Sequence, residues 1–259
     1  MIDLFLLKNA MRDMTRPKKL VAALILVAGP ALLTLLLKTF RPEGAFSPAA
    51  VYDVMSEKVI LGFVMVILSV VFCTSVVAQE VEDKTIVYIL TRPVPRYRIL
   101  TVKFLPALFV TLGTVWVSLI AAAVAAYGFT GIGHSHLGRD LQIAPVGVMA
   151  YSCCFLLLAT LLNRPLIYGL LYAFGWETWV PNMPGSFQKL SLMAYLRVLA
   201  PHATPDPEDV DLTQAIQGIT QDEISTRMAW IVLITVTIVA FGAALAFFSR
   251  REYVPRDAE

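Results

Sequence analysis

The chain has 259 residues, of which 58% are hydrophobic and only 15% charged, with a mean hydropathy of +0.71. That is too little polar sequence to clothe a water-soluble globule of this size, so soluble enzyme folds are disfavoured and the chain is expected in a membrane. Its 21 Lys+Arg against 19 Asp+Glu leave a formal charge of +2, too balanced to point to a nucleic-acid partner.

Residues 1–16 place Leu4, Leu7, Met11 and Met14 on one helical stripe and Asn9, Arg12, Asp13 and Arg16 opposite, the pattern of an interfacial amphipathic helix. Such a helix serves equally as a simple anchor or as a docking surface. The first uncharged block, Leu20 to Leu37, holds 18 residues between Lys19 and Lys38. A membrane-crossing helix needs about 20. Pro30 inside it is tolerable where neighbouring helices satisfy the freed carbonyl. A cleaved signal peptide is not expected, because the block ends at Lys38 without a small-residue cleavage site. Span two is Val59 to Gln79, 21 uncharged residues between Lys58 and Glu80.

Residues 80–103 then form a proline elbow. Glu80, Glu82 and Asp83 end the span, and Ile86 to Leu90 are apolar enough to bury against the bilayer or another protein. Pro93 and Pro95 turn the chain out of helical geometry. Arg96, Arg98 and Lys103 follow where the next span enters the inner headgroups, with Arg98 and Lys103 read as anchors there. On composition alone the stretch is equally an ordinary loop whose arginines hold lipid phosphates.

Span three covers 104–129. His134 and His136 lie in the loop after it, where alternate positions of an extended chain face one way, but without a third ligand a solvated loop is the better reading and no metal site is assigned. Span four, 141–163, has Pro145 near its start and returns at once through Asn163-Arg164-Pro165. Span five, 165–180, is the weakest, with Glu177 inside it, read here as an interfacial carboxylate beside Trp176 and Trp179. The segment 181–226 contains a predicted helix at Ser186 to Leu199 and an acidic half with Asp206, Glu208, Asp209, Asp211, Asp222 and Glu223. A solvated loop accounts for those charges more simply than a cationic cargo does. Span six, 228–249, is closed by Arg250 and Arg251.

Six spans put both termini on one side. With that side cytoplasmic, the inner segments carry 14 of the cations, namely Lys8, Arg12, Arg16, Lys18, Lys19, Lys84, Arg92, Arg96, Arg98, Lys103, Arg164, Arg250, Arg251 and Arg256. The outer segments carry 7: Lys38, Arg41, Lys58, Arg139, Lys189, Arg197 and Arg227. This is the positive-inside distribution, and Trp176, Trp179 and Trp230 fall at the outer interface. Trp116 lies deeper and is read as packing. Cys73, Cys153 and Cys154 sit inside spans with no disulfide or CxxC pattern. No phosphate-binding loop, HExxH or GxSxG occurs, and the first four and the sixth uncharged blocks hold no ionisable group by definition, so neither nucleotide hydrolysis nor an intramembrane enzyme is expected of this chain.

The order Glu80, two further acids, Thr85, an apolar run to Leu90, then Arg92-Pro93-x-Pro95-Arg96 and Lys103 closely resembles the signature of the ABC transporter type 2 permease family. Lys84 departs from it, standing where the family often has Gly. The resemblance covers essentially the whole chain. It implies an all-α membrane fold of six transmembrane helices, an N-terminal interfacial amphipathic helix, and an outer cap between spans five and six. It also implies a permease subunit for ATP-driven export in the cytoplasmic membrane, paired with a second permease copy, identical or not, among membrane lipids. Separate ATP-binding subunits would carry ATP and Mg, leaving this chain without a cofactor. Glu80, Thr85, Arg92, Pro93 and Arg96 would form the surface those subunits dock. A non-transporting membrane scaffold or sensor on the same fold is the competing reading.

Overall fold

The computed structural model describes residue 11 and residues 17–40, 47–82, 95–131, 135–183, 185–201 and 224–250. Every regular element among them is helical. In chain order they are α1 (Pro17–Phe40); α2 (Pro48–Val54), running through a π-helical stretch, Met55–Val64, into α3 (Met65–Glu82); α4 (Arg96–Gly131); and α5 (Leu137–Leu161). Then come α6 (Pro165–Leu171), continuing through a π turn, Tyr172–Trp176, into α7 (Glu177–Trp179) and a 3₁₀ turn, Val180–Asn182. A second 3₁₀ stretch, Gly185–Leu190, precedes α8 (Leu192–Leu199), and α9 (Thr226–Arg250) completes the set.

Five of these segments are long and apolar enough to cross a membrane: Val21–Phe40, Pro48–Ala78, Tyr97–Phe129, Leu137–Leu161 and Thr226–Arg250. Span two begins much earlier than its uncharged block. Ser47 caps it by accepting from the Ala50 N–H, and Pro48 takes the first helical position, where its missing N–H and fixed φ suit a helix start. Span four likewise begins at Leu137 rather than Leu141. The predicted fifth span is helical from Pro165 to Asn182 but changes helix type along the way and is not one of the five. It climbs only to Tyr151, the fifteenth residue of α5, to which Glu177 bonds. The predicted helix at 186–199 is divided at Ser191, whose Oγ accepts from the Met193 N–H and caps α8.

Ring contacts between Phe104 and Phe241, and between Tyr52 and Tyr127, fix how the long helices run. The starts of α2, α5 and α9 share one end of the bundle with the end of α4, here the upper end. The ends of α3, α5 and α9 share the lower end with the start of α4. Helix α5 is the hub, packed on α3 and α9 along its length and also on α4, α6 and α8. Tyr52, Met65, Phe72, Leu119, Tyr151, Phe155 and Leu233 are core side chains. Helix α1 packs on α4 and leaves Val21, Leu24, Ile25, Leu32 and Leu36 exposed, an apolar face suited to lipid.

Backbone groups with no water to bond must be satisfied within the bundle. Helix α1 runs straight through Pro30, Thr34 Oγ1 donates to the Pro30 carbonyl at 2.8 Å, and Ser118 of α4 donates to the Val27 carbonyl at 3.4 Å. Most other serines and threonines in the spans donate to the carbonyl three or four residues back, among them Thr74, Thr111 and Thr237. Helix α4 bends at Gly128, whose φ of 72° is open to glycine at no steric cost.

Candidate functional site

A series of polar groups descends from the upper end between α2 with its π stretch, α5 and the segment 165–201. At the top, Tyr52 Oη donates to Asp140 Oδ2 at 2.8 Å, and His136 Nδ1 lies 3.1 Å from Asp53 Oδ1. Asp53 and Asp140 are buried, whereas His136 is half exposed. One helical turn further along, Glu57 Oε1 lies 3.0 Å from Arg197 Nε on α8, both side chains about a quarter exposed.

Lowest is Glu177, 3% exposed. Tyr151 Oη and the Met193 N–H both donate to its Oε1, the latter at 2.7 Å, and Tyr172 Oη donates to Oε2 at 3.3 Å. The expectation of an interfacial carboxylate is therefore corrected. At about 1.5 Å rise per residue, Tyr151 stands roughly 21 Å below the start of α5. The π turn brings this about, since it sets Tyr172 and Glu177, five residues apart, on one face.

Close approach of α8 depends on Gly147 beneath it. A Cβ on Gly147 of α5 would meet Leu196 Cδ1, Met65 Cε and Met65 Sδ at 3.0 Å, whereas one on Gly62 of the π stretch would make only ordinary contact with Met193 Cε at 3.5 Å. Trp176 Nε1 donates to the Leu190 carbonyl and Tyr195 Oη to the Lys189 carbonyl, which holds the 3₁₀ stretch against α8. The chain thus turns back into the bundle after the half-length segment α6–α7, and α8 leads out again to Pro201, whose carbonyl accepts from Arg139 at 3.3 Å.

Ionisable groups inside an apolar bundle mark functional positions by default, because each must be paired to be stable there. Among the described residues no group of three metal-ligating side chains occurs. The arrangement is a series of paired polar groups beside α8.

A sequence model of the ABC-2 family transporter proteins matches residues 15–175, more than half of the chain. The chain belongs to the ABC-2 transporter family. It is accordingly the permease component of an ABC transporter, a multi-pass membrane protein, and the family implies an ATP-binding partner subunit. No curated protein matches it. The family match ends two residues before Glu177, so Glu177 and α8 lie beyond it, while their partners Glu57, Arg139, Tyr151 and Tyr172 lie within it.

Of the residues predicted to meet the ATP-binding subunits, Thr85, Arg92 and Pro93 lie outside the described residues. Glu80 falls in the last turn of α3 and Arg96 opens α4, with both side chains outside the description. Pro95 immediately precedes α4, and its carbonyl accepts from the N–H groups of Arg98 and Ile99. Arg98 is exposed, while Lys103, one turn on, is buried. Residues 1–10 and 12–16 of the predicted amphipathic helix, His134 and the acidic run 206–223 also lie outside the described residues. Trp116 is partly exposed and donates from Nε1 to the Leu141 carbonyl, so it ties α4 to α5 rather than filling a core.

Asp53, Glu57 and Asp140 had no place among the sequence candidates, because bounding spans by the absence of charge left them outside. Helices continue through charges that are paired. The Ser47-Pro48 start signal was the available clue to the longer second span.

Proposed function

We propose that this permease drives export, with its upper end outside and both termini in the cytoplasm of a cell whose cytoplasmic membrane holds it. Two copies, identical or not, would form the pathway among membrane lipids, and segment 165–182 would make the lower half of a sixth crossing that α8 continues to the upper end. ATP and Mg would be handled on the ATP-binding subunits, with no cofactor on this chain. The observation that carries this reading is the family match, whose range includes the elbow 80–103. The buried acidic groups support an upper exit, since among the described residues Asp53, Asp140 and Glu177 are set from the upper end to the middle of the bundle.

In this reading Glu80, Thr85, Arg92, Pro93 and Arg96 form the ATPase-coupling surface, and closure of the ATP-binding subunits shifts the permease only if that surface binds their two states differently. Arg96 decides between this and a lipid anchor. Lipid phosphates attract Lys and Arg alike, by about 1 kcal/mol per charge, so Arg96→Lys would then be silent. A docked guanidinium presents a planar fork that Lys does not reproduce. We expect Arg96→Lys to weaken, and Arg96→Glu to abolish, co-purification of the cognate ATP-binding subunit at equal membrane levels. Wild-type recovery with Arg96→Glu would remove the residue from the coupling surface.

A further inference from the structure

Helix α8 is tethered unequally at its two ends. Its start is held in the bundle: Ser191 caps it, and the Met193 N–H reaches Glu177, a buried carboxylate whose other donors, Tyr151 and Tyr172, belong to α5 and the π turn. Stripping a buried carboxylate of its donors is costly. Its far end seats Leu199 and Ala200 in the core, and its polar ties there lie closer to water, although the Arg197 Nε atom is itself enclosed. The Glu57 and Arg197 side chains are 24% and 27% exposed, and the Arg139 bond to the Pro201 carbonyl is exposed. Such pairs exchange for hydration at little cost. Between the ends, α8 packs chiefly on α9, and it passes over Gly147 and Gly62 with the tips of Leu196 and Met193, Met65 filling the gap between. The contacts over the glycines are made by adaptable side chains.

We propose that α8 is a hinged flap, pivoting at Met193 on Glu177 and latched at its far end by the Glu57–Arg197 ion pair. Release of the latch lets the Leu199 end swing away from α5, α9 and the π stretch while the Met193 end stays seated. The swing would uncover Gly147 and the polar groups beside it. Its use as an exit gate for cargo rests on the permease role proposed above; the hinge itself does not.

The test uses the purified full chain in lipid nanodiscs, where both faces are open to a water-soluble maleimide, in a background with Cys73, Cys153 and Cys154 changed to alanine. Single cysteines replace Leu192 at the pivot or Leu199 at the free end, both buried. Arg197→Glu, which sets two carboxylates against each other, is expected to raise labelling at 199 about tenfold and at 192 less than about twofold, since labelling follows the open population. Adding Glu57→Arg should return 199 to its parent rate. Glu177→Gln should raise labelling at both positions, because it loosens the pivot. Equal rises at both positions with Arg197→Glu, no rise at 199, or failure of the charge swap to restore protection would each overturn the hinge. Arg197→Gln carries the same expectation at smaller size. Failure of both Arg197 variants to elute as folded protein would also overturn it, because a latch that opens without unfolding is the premise. No arm needs ATP or cargo, so a failed hinge leaves the permease role standing, and loss of the ATP-binding partner leaves the hinge standing.

Discussion

A carboxylate halfway along an apolar bundle is stable only where donors converge on it, and Glu177 has two tyrosine hydroxyls and one amide. Glu177→Leu fits the space but strands Tyr151 and Tyr172, at about 1–3 kcal/mol for each hydroxyl left without an acceptor. The Met193 N–H loses less, because Ser191 Oγ also accepts from it at 3.1 Å. Glu177→Gln keeps one carbonyl oxygen and replaces the other with a donor, so its cost should be nearer about 1 kcal/mol. Thermal unfolding of the purified chain should therefore rank wild type above Gln and Gln well above Leu. A Leu variant as stable as wild type would show that the hydroxyls find other acceptors. Tyr52 and Asp140 obey the same accounting, and Tyr52→Phe should cost about 1–3 kcal/mol by leaving Asp140 Oδ2 without its tyrosine. None of these partnerships was legible in the sequence. Tyr52 and Asp140 are 88 positions apart, and only folding brings them together.

At the scale of elements, what could be read was the apolar mass of each long helix, because a membrane selects for it residue by residue. What could not be read were ends and helix type. Charge marks the end of an uncharged block but not of a helix: Asp53, Glu57 and Asp140 sit inside helices because each meets a partner across the bundle. The π segments at 55–64 and 172–176 have no sequence period of their own, and both lie where α8 docks or Glu177 turns inward. Helix α6 illustrates a contact that one glycine permits. A Cβ on Gly169 would meet Val70 Cγ1 of α3 at 2.8 Å, and valine, branched at Cβ, has little freedom to turn away. Overpacking of this kind costs about 1–3 kcal/mol, against a gain of at most about 1 kcal/mol in helix propensity. Gly169→Ala should thus lower the thermal midpoint, whereas Gly113→Ala, with nothing within 4 Å of the new methyl, should leave it unchanged or raise it. A neutral Gly169→Ala would mean that α6 shifts without cost and is not fixed against α3.

For the whole molecule, the decisive quantity is which end faces the cytoplasm, because it determines whether the α8 flap opens outward. Lys18, Lys19, Arg96, Arg98, Lys103, Arg164 and Arg250 belong to the lower side, and Lys38, Lys58, Arg139, Lys189, Arg197 and Arg227 to the upper. Among the described residues alone the two sides are nearly balanced. Orientation then turns on the segments beyond. In the proposed six-span topology Lys8, Arg12, Arg16, Lys84, Arg92, Arg251 and Arg256 are expected on the lower side, against Arg41 on the upper. Cations close to span ends bias a segment to stay inside. We therefore expect Arg98→Cys and Arg250→Cys to resist an impermeant thiol reagent in intact cells, and His134→Cys and Asp209→Cys to react with it. Permeabilising the cells should make the first pair reactive without changing the second. Reaction of Arg98→Cys in intact cells would invert the molecule, turning the α8 flap toward the cytoplasm and making it an entrance.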